Sequence, residues 1–225
     1  MVGGRIAGQA LGGVASVLAK HTQSAIDEVV RTRAGAISAA VDYERLRHPG
    51  IAPRELAALL ARRRSLVAAA SGAATSAPSA VPGAGTAIAL TMGVADSVQL
   101  VYSQVALTLA IADAYGRPLR DSDARTLDVL SVLALDAGAA SFKRGELRIG
   151  DHTLRPGRDA LPREAVADVN RHIIEYVARR VGRHRARQLL GRSVPLGVGI
   201  ALGGSANYRA MQRITRHAVR LFEAG

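Results

Sequence analysis

The most unusual chemical group in this 225-residue chain is a carboxylate placed where charge is otherwise absent. From Ser65 to Ala112 the sequence carries a single formal charge, Asp96. An ionised group in an apolar helix must find a partner or shift its pKa. Asp96 is therefore expected either to bond a neighbouring helix or to serve as a proton or ligand site. A second set of residues is suited to holding anions. Arg209, Arg213, Arg216 and Arg220 recur at i, i+4, i+7 and i+11, one continuous stripe, while Asn207, Met211, Ile214, Ala218 and Leu221 line a largely apolar face. Such arginines reach phosphates while their stems cover apolar surface, or else they form the solvated side of an ordinary bundle helix. Arg179, Arg183 and Arg187 join them as expected membrane or anion contacts, and Asp96 and Asn207 are each expected to be buried polar residues.

Other chemistries lack their residues. A phosphate-cradling loop needs Gly-Lys-Ser/Thr, but Lys20 follows Ala19 and Lys143 follows Phe142. Gly83-Ala84-Gly85-Thr86-Ala87-Ile88 puts Ile where a dinucleotide fingerprint needs its third Gly, and Gly197-Val198-Gly199-Ile200-Ala201-Leu202 fails in the same way. These glycines read as helix-packing residues. His21, His48, His152, His172, His184 and His217 include no pair spaced to bind a metal from one helical turn, and there is no Cys to complete a site. No Gly-x-Ser-x-Gly elbow supports nucleophilic catalysis. No catalytic residue, cofactor or metal is expected, and the chain is not expected to be an enzyme.

The elements that must carry these groups follow from composition. Apolar residues make up 48% of the chain and aromatics 3%. That is too hydrophobic for disorder, and the absence of Cys excludes a disulfide scaffold. A core of Ala, Val and Leu must pack closely, which favours helices joined through small residues and hence an all-α fold. The net charge of +12 is unevenly placed. Residues 1–64 hold ten basic and five acidic side chains, residues 65–142 three and six, and residues 143–225 seventeen and seven. An apolar, slightly acidic middle is thus flanked by basic ends, a pattern suited to anionic lipid or nucleic acid, and equally to a solvated surface.

The N-terminal run Ile6–Ala19 is interrupted by Gln9 and three glycines and makes a poor signal peptide. Helical periodicity through Ala25, Val29, Ile37 and Val41 stops at His48-Pro49-Gly50, and Pro53 opens a second helix expected to end at Arg62-Arg63-Arg64. Leu66–Ala77 follows, with Ala68, Gly72 and Ser76 forming a small-residue face for close helix contact. Pro82, Gly83 and Gly85 mark a turn before a long apolar helix, which stops at Tyr115-Gly116-Arg117-Pro118 with Gly116 at the C′ position. From Ala84 to Ala112, at a rise of ~1.5 Å per residue, this helix is about 44 Å long, enough to cross a bilayer. Its Leu, Ile and Val side chains favour insertion by about 3 to 6 kcal/mol, and a central Asp96 opposes it by about 2.5 to 3.5. With Gln99 and Gln104 added the balance is near zero, so the hairpin is expected to be buried in protein or reversibly inserted. A helix from Asp123 to about Ser141 buries Leu127, Leu130, Leu133 and Ala134. Leu147–Leu154 alternates around Gly150-Asp151 as a small β-hairpin or an irregular loop. Another helix runs from Leu161 to about Arg180, and Val194-Pro195 begins a second turn.

The Val-Pro turns at 81–82 and 194–195 are each followed by Gly-spaced apolar residues, which reads as a bundle built around two Pro/Gly-tipped hairpins with Gly197 and Gly199 as packing residues. The Pro82-Gly83-Ala84-Gly85 turn, the apolar helix bearing Asp96, its Ala114-Tyr115-Gly116 end, and Val194–Gly199 leading through Asn207 to a basic final helix together resemble the EcsC family. The resemblance covers roughly residues 50 to 225. It implies a helical bacterial protein, cytoplasmic or associated with the inner membrane, in a family named for a member encoded beside an ABC transporter and lacking an established activity. The organisation expected is an N-terminal helical region, 1–50, and an EcsC-like helical domain, 51–225. The function expected is docking on anionic lipid or a membrane protein partner, peripheral on the cytoplasmic side. Binding of nucleic acid through the Arg-rich C-terminal third is the alternative; it lacks a helix-turn-helix signature and an aromatic stacking platform.

Overall fold

The computed structural model describes residues 24–76, 86–117, 119, 122–155, 162, 164, 166–169, 171, 172, 175 and 196–224. The turns Pro82-Gly83-Ala84-Gly85 and Val194-Pro195, and Arg179, Arg183 and Arg187, lie outside the described residues, as do His21 and His184. Helical residues 24–32 bend at Arg33 into α1, Ala34–Arg47. Gly50, at φ 75°, closes the His48-Pro49-Gly50 break. Pro53 is the first residue of α2, Pro53–Ser76, where its missing N–H would have had no partner in any case. The stop expected at Arg62–Arg64 does not occur. Arg is a good helix former and no breaker stands between Pro53 and Pro78, so α2 runs through all three.

The long apolar helix is α3, Thr86–Ala114. It ends as its sequence dictates: Gly116 adopts φ 76°, its N–H donates to the Asp113 carbonyl at 2.8 Å, and the Arg117 N–H donates to that of Ala112 at 3.0 Å. The next helix, α4, Ser122–Ala137, is shorter than the expected run to Ser141 because Gly138 terminates it in the same manner. Ala140 and Ser141, among the residues it gives up, begin β1, Ala140–Lys143, which pairs antiparallel with β2, Glu146–Ile149, and β2 pairs with β3, His152–Leu154. The hairpin around Gly150-Asp151 is thus present and extended to three strands. Phe142, Leu147, Ile149 and Leu154 are its buried side chains. Helical backbone recurs at 164, 166–169, 171, 172 and 175, and the last element is α5, Leu196–Phe222, with Gly197 and Gly199 near its start.

The result is an all-α bundle with a small antiparallel sheet. Its centre is α3, which touches each of the other four named helices. Val105, Leu107, Leu109 and Ile111 are wholly buried, and 67% of the span Ala95–Ala114, long and apolar enough to cross a membrane, lies inside the protein. The two long helices of the first expected hairpin, α2 and α3, do pack together, and α5 lies against both. Ile26, Val29, Val30, Ile37 and Val41, before the boundary expected at residue 50, belong to the same hydrophobic core.

Candidate functional site

Three groups of residues meet around α5. The first is its seam with α2. Gln212 Nε2 donates to Ser65 Oγ at 3.1 Å, Asn207 Nδ2 to the Ala68 carbonyl at 3.2 Å, and Gly204 lies against Ala69 and Ala73, so the helices run antiparallel. A Cβ added at Gly204 would stand 3.0 Å from the Ala69 carbonyl oxygen. Ala68 and Gly72 are buried, but the residues that Gly204 meets are Ala69 and Ala73, one position along from the expected face. Asn207, 2% exposed, also donates to Asp96 Oδ1 at 3.1 Å. The carboxylate in the apolar helix is thus half-buried and bonded to the polar residue of the neighbouring helix.

The second group is the outer face of α5. Met211, Ile214, Ala218 and Leu221 are fully buried, while Arg209, Arg216 and Arg220 are exposed. Among the described residues none of these three arginines forms a salt bridge. Arg213 departs from the stripe. Its Nε donates at 2.9 Å to Asp136 Oδ1 of α4, a carboxylate only 3% exposed, so this arginine fastens α5 to α4. The angle between i and i+4 on a helix lets one residue of such a stripe turn inward to a neighbour. His217 lies next to this contact: burial lowers its pKa, Asp136 raises it, and Arg216, Arg213 and Arg220 lower it further. On α2, Arg62, Leu66 and Val67 are exposed, and Tyr208 on α5 is partly so.

The third group gathers where α3 ends. Tyr115 Oη donates to Glu223 Oε1 at 2.9 Å, and burial, with that hydrogen bond, pushes the phenol up to about 12. Gly116 turns the chain so that Arg117 grips Asp128 with two hydrogen bonds of 2.7 and 2.9 Å, its guanidinium 5.3 Å from the Phe222 ring centre. Burial raises the Asp128 carboxyl pKa, and the bonds and charge of Arg117 offset only part of that rise. Arg45 bonds Asp42 and Asp113, and Arg63 pairs with buried Glu44. Sequence reading singled out Tyr115 and Gly116 here but neither Arg45, Arg117, Asp113 nor Asp128. The available signal was the carboxylates, since Asp113, Asp128 and Asp136 sit in apolar helices and each has to be paired.

No group of His, Asp or Glu able to hold a metal ion occurs among the described residues. His48 lies 3.9 Å from Glu44, and His172 Nδ1 lies 2.8 Å from the Asp168 carbonyl. Arg209, Arg216 and Arg220 face solvent, while Asp96, Asp128 and Asp136 are each held by a partner on another element. Comparison of the chain with protein-family models, with curated proteins and with solved structures finds no match.

Proposed function

We propose that this chain is a non-enzymatic, peripheral membrane protein whose outer α5 face docks on anionic lipid. One observation carries the reading: Arg209, Arg216 and Arg220 stand exposed and without a described counter-ion on a helix whose opposite side is locked into the core. A cation close to an anionic leaflet contributes about 1 kcal/mol, so three contribute about 3, roughly a hundredfold in affinity. Exposed Leu66 and Val67 on the adjoining α2 supply apolar contact at the lipid boundary.

Docking is favoured over insertion by magnitude. Moving α3 into a bilayer would strip Val105, Leu107, Leu109 and Ile111 from their packing, at about 1.5 to 3 kcal/mol each. The near-zero insertion balance of that helix cannot offset such a loss. The resemblance to the EcsC family supports the same surface, the cytoplasmic side of a bacterial inner membrane.

Vesicle flotation tests the proposal. The protein is expected to float with phosphatidylglycerol vesicles and not with phosphatidylcholine vesicles at about 0.15 M salt, and to be released near 1 M, where the Debye length shrinks from about 8 to about 3 Å. Equal flotation with both lipids, or flotation that resists salt, would show apolar insertion instead. Failure to float, together with salt-sensitive binding of duplex DNA, would move the function to nucleic acid.

A further inference from the structure

Five arginines are partly buried among the described residues, and four of them are answered by an acceptor. Arg45 donates to Asp113, Arg117 to Asp128, Arg213 to Asp136, and Arg125 to the Leu119 carbonyl. Arg64 of α2 is the fifth, and among the described residues it has neither a hydrogen bond nor an ion pair. Burial lowers its pKa, and the group that opposes the fall is the Tyr102 phenol of α3, not a carboxylate. The guanidinium therefore gives up hydration beside α3 without meeting a counter-charge, which is costly for a cation. None of its nitrogens is sealed from solvent, so a ligand can reach it. Because a guanidinium only donates, the partner it lacks is an anion.

The side of α2 next to Arg64 says what that anion is joined to. From Ser65 to Ser76 this helix carries no formal charge. Val67 stands one turn beyond Arg64, a spacing that puts Cβ atoms about 5 to 6 Å apart, and it is 70% exposed. Ala70 and Ala74 continue the same line and are exposed as well. From Arg64 to Ala74 the strip is about 15 Å long. A small soluble anion would satisfy Arg64 and leave the strip in water; a neutral hydrocarbon would cover the strip and leave Arg64 unpaired. A molecule with an anionic head on an acyl chain answers both. We propose that α2 holds one anionic phospholipid, its phosphate accepting from the Arg64 guanidinium and an acyl chain lying along Val67, Ala70 and Ala74. The assignment rests on the lipid reading of the chain, but its cation is Arg64 of α2, where docking uses the arginines of α5.

Monomeric dihexanoyl-phosphatidylglycerol, kept below the concentration at which it forms micelles, is the probe. It is titrated into the full chain and followed by NMR through the arginine Nε–H and backbone amide signals. Glycerol phosphate supplies the head without chains, and hexyl glucoside a chain without the charge. The lipid is expected to saturate, to shift the Arg64 Nε–H together with the Ala70 and Ala74 amides, and to bind at least tenfold more tightly than either partial ligand. Arg64→Gln and Val67→Asp should each weaken it at least tenfold. Arg64→Gln removes a charge that no described residue offsets, so urea unfolding should show its stability kept or raised, and lost binding then reports the site and not the fold. The variant carrying Arg209→Gln, Arg216→Gln and Arg220→Gln should bind the monomer like the parent chain. Monomer binding that persists in a parent chain unable to float with vesicles would count against the α5 face and support this site. The proposal is overturned if the lipid does not saturate, if glycerol phosphate binds as tightly, if Arg64→Gln binds like the parent, or if binding is lost in the α5 variant instead.

Discussion

Small residues govern how closely α2 and α5 approach. At Gly204 an added Cβ would press on a backbone oxygen of α2, which cannot rotate aside as a side chain does. Gly204→Val should therefore lower unfolding free energy by about 2 kcal/mol or more, since overpacking outweighs the helix propensity gained. Gly35, on the exposed side of α1 with open space around it, gives the opposite expectation: Gly35→Ala should stabilise by about 0.5 to 1 kcal/mol. Urea unfolding of the two variants measures both. His217 supplies the pH dependence. Burial holds its pKa below the ordinary 6.5 in the folded state, so the unfolded chain takes up a proton first. Its contribution to stability is complete above about pH 6.5 and is lost as pH falls through that value toward the folded pKa. Unfolding at about pH 7.5 and about pH 5.5 should show the fall, and His217→Gln should reduce it.

Within the last helix, one arginine of the stripe differs from the other three. Removing the Arg213 guanidinium leaves Asp136 buried without this partner, so Arg213→Gln should cost about 1 to 3 kcal/mol in urea unfolding, discounted because Arg213 is itself partly exposed. The exposed arginines carry no such load, and each changed to Gln should shift stability by less than about 0.5 kcal/mol. Spacing alone could not separate these cases, because the partner lies on a helix distant in sequence. Punctuation was more legible. Gly116 and Pro53 mark helix ends in the sequence and in the structure alike, and the periodicity of Met211, Ile214, Ala218 and Leu221 names the face that is buried. Gly138 was missed as a stop because an Ala-rich run continues past it. The first turn of the sheet was hidden because Arg144, at φ 52°, occupies a left-handed position that Asn or Gly usually announces. The three consecutive arginines of α2 misled in the other direction, since charge does not end a helix when backbone geometry permits it.

Over the whole molecule, the sequence's apolar middle becomes an interior helix, and three arginines of its basic C-terminal end stand exposed on α5. The middle is α3, surrounded by the four other helices, and its Asp96 carboxylate is answered by Asn207 across the core. That pairing was within reach of the sequence, which marked both residues as polar groups in apolar surroundings, but only the fold could join them. The ion-pair cluster at the end of α3 was not legible, because Arg45, Asp113, Arg117 and Asp128 converge from three helices and a loop. The central claim is that lipid is met by the exposed guanidinium groups of α5 while the bundle stays intact. Flotation of the triple variant Arg209→Gln, Arg216→Gln, Arg220→Gln with phosphatidylglycerol vesicles tests it most directly, using Arg213→Gln for comparison. The account predicts a roughly hundredfold loss of vesicle affinity in the triple variant at unchanged helical content, and a much smaller loss in Arg213→Gln. A triple variant that binds these vesicles as tightly as the parent chain would contradict it.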